Sequence, residues 1–257
     1  MRSTERLIEL IMDAAEMCSA AIWVNLSTTA LPPTVDDNGT CAFIDTGEKK
    51  LLITAHHILA KFQDEKTRNP SAGLCVCLGQ QSVFLDFPII IDEDESTLDV
   101  AVIEFPHLAV LNGCAKRYFP IRKWPIPTPV RGEVVTLVGF PGAFRFTHQS
   151  FGAFEPAGLG FVVSSVSDRS IVLADETGSR RTESRGLRKI DSIPFGGFSG
   201  APAFLFRDDM FHLIGFMRGG SKELDGNSPL SLPGVAFLSP ATYLLPNGRL
   251  DRHRMPL

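Results

Sequence analysis

From about residue 20 onward the chain breaks into short apolar runs separated by turn residues, and that pattern limits what it can fold into. A first set comprises Ala21 to Leu26, Thr40 to Asp45, Lys50 to Thr54, Leu74 to Leu78, Ser82 to Phe87 and Val100 to Phe105. A second comprises Glu133 to Phe140, Gly160 to Ser165, Ser170 to Ala174, Ala201 to Phe206, Phe211 to Phe216 and Gly234 to Leu238. Between the sets lie Pro120, Pro125, Pro127 and Pro129. Proline has no N–H to give to a ladder, so this segment cannot continue a central strand and reads as a connector. Two sets of six strands suggest two closed or nearly closed antiparallel barrels, which leave few exposed sheet edges. The expected fold class is therefore all-β: two six-stranded barrels, in residues 20–122 and 123–257, with an added α-helix in residues 1–19.

That helix is expected over residues 4–18. Leu7, Ile8, Ile11, Ala14, Ala15 and Cys18 follow helical spacing, while Glu5, Arg6, Glu9, Asp13 and Glu16 fill the other side. Ser3 or Thr4 can cap its start, with acidic residues near the positive end. The expected role is packing on its own domain; docking of a protein partner is the alternative. An acidic polar face argues against a membrane surface, which favours Lys and Arg.

A net charge of -4 gives no electrostatic reason to expect a nucleic-acid surface. No apolar stretch approaches the roughly 20 residues that span a bilayer, and the first residues lack the apolar core of a signal peptide. A cytoplasmic location is expected. The five cysteines (Cys18, Cys41, Cys75, Cys77 and Cys114) are odd in number and dispersed, so reduced, buried thiols are expected rather than disulfides or a zinc site.

Three motifs carry chemistry. His57 lies in Leu51-Leu52-Ile53-Thr54-Ala55-His56-His57, an apolar strand running into a short turn. Asp99 opens the run Asp99-Val100-Ala101-Val102-Ile103, and Ser199 lies in Gly196-Gly197-Phe198-Ser199-Gly200-Ala201-Pro202. A serine hydroxyl is a poor nucleophile at neutral pH. It needs an imidazole to take its proton and a carboxylate to hold that imidazole in the right tautomer. Glycines around the serine let the chain turn sharply and let a substrate carbonyl approach the main chain. The neighbouring carboxylates Asp92, Glu93, Asp94 and Glu95 read as a solvated loop.

The order His, Asp, Ser and the motifs around each residue resemble those of the trypsin/chymotrypsin-like serine proteases, over roughly residues 20 to 245. The resemblance implies a hydrolase with His57 as general base, Asp99 as its orienting carboxylate and Ser199 as nucleophile. The N–H groups of Gly197 and Ser199 would form the oxyanion hole, and catalysis would need neither metal nor cofactor. His57 matches the motif histidine, with His56 in place of an alanine. Phe198 stands where secreted members carry the Asp that pairs with a newly released N-terminus, so activation by that route is not expected.

The implied partner is a protein or peptide substrate, paired against Phe216, Met217, Arg218 and Gly219. Ile193 falls where members selective for Lys or Arg carry an Asp, so an apolar or small residue is expected before the scissile bond. The segment Thr177 to Lys189 holds Arg180, Arg181, Arg185, Arg188 and Lys189 against Glu183, and reads as a solvated basic loop. The rival to an active protease is a silent binding module on the same fold. Neither the physiological substrate nor the oligomeric state is legible.

Overall fold

The structure is a computed structural model that describes residues 12–25, 38–79, 81–142, 145–148, 151–174, 182–183, 195–220 and 234–255. The basic loop 177–189, apart from the main chain of 182–183, and Ile193 lie outside the described residues, as does the helix before residue 12.

The first sheet is built from β1 (Ser19–Asn25), β2 (Asn38–Asp45), β3 (Lys50–Thr54), β4 (Gly73–Cys77), β5 (Ser82–Leu85), β6 (Ile89–Asp94), β7 (Val100–Glu104) and β8 (Phe119–Pro120). Its order is β5-β4-β1-β2-β3-β7-β6, antiparallel throughout, with β8 added parallel to β2. The second is built from β9 (Val134–Gly139), β12 (Ala157–Val166), β13 (Ile171–Ala174), β14 (Thr182–Glu183), β15 (Pro202–Arg207), β16 (Met210–Gly220) and β17 (Val235–Pro240). It runs β13-β17-β16-β15-β9-β12, and pairing of β12 with β13 closes those six strands into a barrel, with β14 beside β12. A separate hairpin joins β10 (Arg145–His148) to β11 (Phe151–Phe154).

The expected double-barrel, all-β class holds, and each of the twelve expected runs falls on a strand. One barrel is closed, while the other is a curled sheet whose end strands β5 and β6 do not pair with each other. Strand alternation explains how both faces of the central strands are used. Along β2, Phe43 points into the interior of the first sheet, packed with Leu52, Val76 and Phe105. Its neighbours Ala42 and Ile44 point the other way, into a layer shared with Val138, Phe204, Leu213 and Phe216 of the second sheet. A third core, with Leu137, Val163, Leu173, Ile214 and Leu238, fills the closed barrel.

Residues 12–17 form the helical segment α1, the described end of the expected helix, whose Ala15, with Cys18 just beyond it, is buried in the layer between the sheets. It packs on its own chain, with Lys116 Nζ donating to Glu16 O at 2.8 Å. Three other features depart from the sequence expectation. The expected short turn after β3 is a thirteen-residue helix, α2 (His56–Arg68). Ile58, Leu59 and Phe62 recur at helical spacing and are buried, and Lys66 and Arg68 sit favourably in its last turn. A shorter helix, α3 (Leu108–Gly113), follows β7.

The third departure is a correction: Asp92, Glu93 and Asp94 are not a solvated loop but the end of strand β6. Arg252 reaches both Asp92 and Asp94, and Asp94 is 8% exposed. The run Ile89-Ile90-Ile91 before them was the signal for a strand.

Candidate active site

Register brings the candidate base and its candidate carboxylate together. β3 pairs antiparallel with β7, with Thr54 opposite Ala101, so the end of one strand meets the start of the other. His57 stands three residues after Thr54 and Asp99 two before Ala101. His57 Nδ1 lies 2.8 Å from Asp99 Oδ2, and His57 N donates to Asp99 Oδ1 at 3.0 Å. His56 N donates to Asp99 O at 3.1 Å. An ionised carboxylate can only accept, so Nδ1 carries the proton and Nε2 is left with its lone pair. Asp99 holds a left-handed φ of 51°, an uncommon conformation for a residue other than Gly or Asn. The His57 side chain is half exposed and that of Asp99 21% exposed. His56 does not share this geometry: its Nε2 faces Glu93 Oε2 at 3.8 Å, away from Asp99.

Ser199 comes from the second sheet, three residues before β15. Its loop is seated on the first sheet through Thr40 of β2. Thr40 Oγ1 donates to Gly197 O at 2.7 Å and accepts from Phe140 N at 3.0 Å, while Thr40 N donates to Ser199 O at 2.8 Å. A Cβ on Gly200 would lie 2.2 Å from Thr40 O and 2.8 Å from Ala55 N, so only glycine allows the loop to approach the turn that carries His57. No hydrogen bond between the Ser199 hydroxyl and the His57 ring occurs among the described residues. Catalytic hydrogen bonds are often long before a substrate is bound.

The main chain from Gly196 to Gly200 alternates. Gly196 O accepts from Gly142 N, Phe198 O from Ala201 N, and Ser199 O from Thr40 N. Phe198 N donates to Phe195 O, and Gly200 N to Met217 O. With Gly197 O on Thr40, every polar group of these four peptides is bonded except two. Among the described residues, the N–H groups of Gly197 and Ser199 have no protein acceptor. Gly197 has φ +94, and a Cβ there would strike Phe140 O at 2.6 Å. Phe198 is fully buried in the closed barrel, against Gly139 and edge-on to Phe195, so its side chain stays clear of those two donors.

Of the expected substrate-binding residues, Phe216 and Met217 are 3% and 1% exposed, with their side chains in the shared layer and in the barrel core. Arg218 is turned across the cleft, where its Nη1 donates to Thr97 O at 3.0 Å. Pairing of β15 with β16 ends at Pro202 opposite Phe216, whereas β17 continues alongside as far as Gly220 opposite Ala236. The stretch Arg218–Gly220 therefore has a strand on one side and none on the other among the described residues. Phe195, which sequence reading missed, packs its ring against Gly220, where a Cβ would lie 2.6 Å from it. Thr40 was missed as well, since a threonine inside an apolar strand carries no local signal of a contact more than 150 residues away.

No protein-family model matches the sequence, and no curated protein matches it. Solved structures do. Deg5 is similar at 14% identity and TM-score 0.50, over 93% of this chain and 90% of its own. A thermostable serine protease, AL20, from an extremophilic microorganism matches at 13% identity and TM-score 0.49, over 88% and 92%. The serine protease domain of the Sesbania mosaic virus polyprotein matches at 14% and 0.44, again over 88% and 92%. At this identity the likeness to Deg5 is one of fold alone, and with the closed barrel packed against a curled sheet that fold is chymotrypsin-like.

Proposed function

We propose that this chain is a serine endopeptidase with Ser199 as nucleophile, His57 as general base and Asp99 as the carboxylate that orients it. The observation that carries this reading is the alternation in the Gly196–Gly200 loop. A segment otherwise fully hydrogen-bonded leaves open the two N–H donors that a tetrahedral oxyanion would need. The His57–Asp99 pair supports it independently.

His57 Nε2 takes the Ser199 proton as Oγ attacks the peptide carbonyl, and the oxygen gains negative charge between Gly197 N and Ser199 N. The C–N bond then breaks, the leaving amine receives the proton from His57, and an acyl-enzyme remains. Water, deprotonated by the same imidazole, releases the acid and restores Ser199. The substrate strand pairs along the open edge at Arg218–Gly220, a β-augmentation. An apolar or small residue before the scissile bond fits the Phe195 ring beside Gly220.

Labelling with a fluorophosphonate probe tests the reading. Wild type is expected to label at Ser199, and both Ser199→Ala and His57→Ala to fall to background, a loss of roughly a millionfold in turnover for such groups. Folded wild type that does not label would instead support a catalytically silent binding module. The specific observation behind that second reading is the missing hydrogen bond between Ser199 and His57.

A further inference from the structure

The dipeptide before the candidate acid is held in an unusual way. All four main-chain polar groups of Thr97 and Leu98 bond to side chains. Asp94 Oδ1 accepts Thr97 N at 2.9 Å and Leu98 N at 2.6 Å. Thr97 O accepts from Arg218, and Leu98 O from the fully buried Ser239 hydroxyl, both in the second sheet. These bonds set the direction in which the chain enters Asp99, which has a left-handed φ of 51°.

Asp94 is itself held. Its Oδ2 accepts Arg252 Nη1 at 2.9 Å, and Arg252 Nη2 reaches Asp92 Oδ1 at 2.7 Å and also Glu93 O. Leu250 N donates to Asp92 Oδ2 at 2.8 Å. The Arg252 guanidinium thus braces the end of β6, some 150 residues earlier, where Asp94 holds the segment that precedes Asp99. A planar fork can hold two carboxylates at fixed angles; an ammonium acts as a single point charge.

We propose that Arg252 is a positioning residue for the candidate triad: through Asp94 it fixes Thr97 and Leu98, and so the placement of Asp99 under His57. The proposal rests on the protease reading, and its test separates the two. In the full chain, Arg252→Met and Arg252→Lys are compared with wild type by two readouts. The first needs no activity: the downfield Nδ1 proton resonance of His57, followed by NMR in histidine-labelled protein. It is expected to be sharp in wild type, broadened by exchange in Arg252→Met, and partly recovered in Arg252→Lys.

The second readout is fluorophosphonate labelling as a function of probe concentration. The maximal rate is expected to fall about tenfold to a hundredfold in Arg252→Met, with the half-saturating concentration unchanged. Arg252→Lys is expected to fall less. A folded Arg252→Met protein with a wild-type resonance and wild-type labelling would overturn the proposal. If Arg252→Met does not fold, a wild-type resonance in Arg252→Lys would overturn it and a broadened one would support it. If wild type itself fails to label, the protease reading fails, while the resonance still decides the role of Arg252.

Discussion

The start of α2, which carries His57, is joined to Asp99 by three hydrogen bonds beside one sheet, whereas among the described residues Ser199 bonds to that sheet through its main chain. The first arrangement follows from strand register. β3 and β7 are neighbours, and any chain that pairs Thr54 with Ala101 brings the next few residues together. The second depends on two sheets meeting face to face, with Thr40 and Gly200 as the contact. The sheets differ in the same sense. The closed barrel is open only along Arg218–Gly220 of β16 among the described residues, while the curled sheet ends in β5 and β6, and the β6 carboxylates are covered by the C-terminal segment. Register brings the pair inside one sheet close together and the Asp94–Arg252 bonds brace it, whereas the site between two sheets depends on the contact of Thr40 with the serine loop.

Asp99→Asn strikes the half made beside one sheet and, short of removing Ser199 or His57, carries the largest expected effect. Geometry is kept, but the imidazole loses its orienting charge, and labelling or turnover should fall about 10⁴-fold in a protein that still folds. An unchanged rate would mean that the His57–Asp99 pair is not the base assembly. Thr40→Val strikes the other half. It frees Gly197 O and Phe140 N at a fully buried position, so the oxyanion donors lose their alignment. A fall of roughly 10²–10³-fold in labelling is expected, with about 1–3 kcal/mol lost from urea unfolding. Loss of stability without loss of labelling would show that Thr40 holds the sheets together but does not set the donors.

Smaller effects separate the edge of the curled sheet from the closed barrel. Burial alone would raise the Asp92 carboxyl, but the Leu250 N–H, the Arg252 guanidinium and the Glu93 N–H together hold it below its ordinary 3.8. A lowered carboxyl adds stability above its unfolded value, and that contribution disappears as pH falls through the folded value. The stability difference between wild type and Asp92→Asn should therefore be present above about pH 4, at roughly 1 kcal/mol or less, and vanish in acid. A difference that persists in full at low pH would mean that packing, not charge, holds this edge.

The smallest effect concerns the thiols. Burial pushes Cys18 and Cys75 up to about 12 and raises Cys41 and Cys77 too, whereas Cys114 on the turn after α3 is part-exposed. A thiol reagent should modify Cys114 first, with the others reacting only on unfolding. Early modification of Cys75 or Cys77 would mean that the β4 side of the curled sheet opens locally.

Short periods and compact motifs were legible in the sequence. Alternating apolar residues placed the strands, and Gly197, Ser199 and Gly200 marked a tight loop that a larger side chain could not form. The α2 helix was missed because its apolar residues Ile58, Leu59 and Phe62 follow so closely on the apolar strand β3 and the candidate base. The acidic end of β6 was misread because charge at a sheet edge resembles charge in a loop until its partner is seen.

What the sequence determined by itself was the all-β class, the division into two strand sets and the identity of the candidate reacting groups. These depend on residue type and on spacing within a few positions of the chain. Tertiary structure decided which barrel closes and which N–H groups of the serine loop stay open. It also decided that Phe216 and Met217 are core residues, and that Thr40 and Arg252 act at a distance. The Thr40 and Arg252 contacts join segments more than 150 residues apart, and a threonine or an arginine looks the same in the sequence whether or not a distant carbonyl or carboxylate meets it.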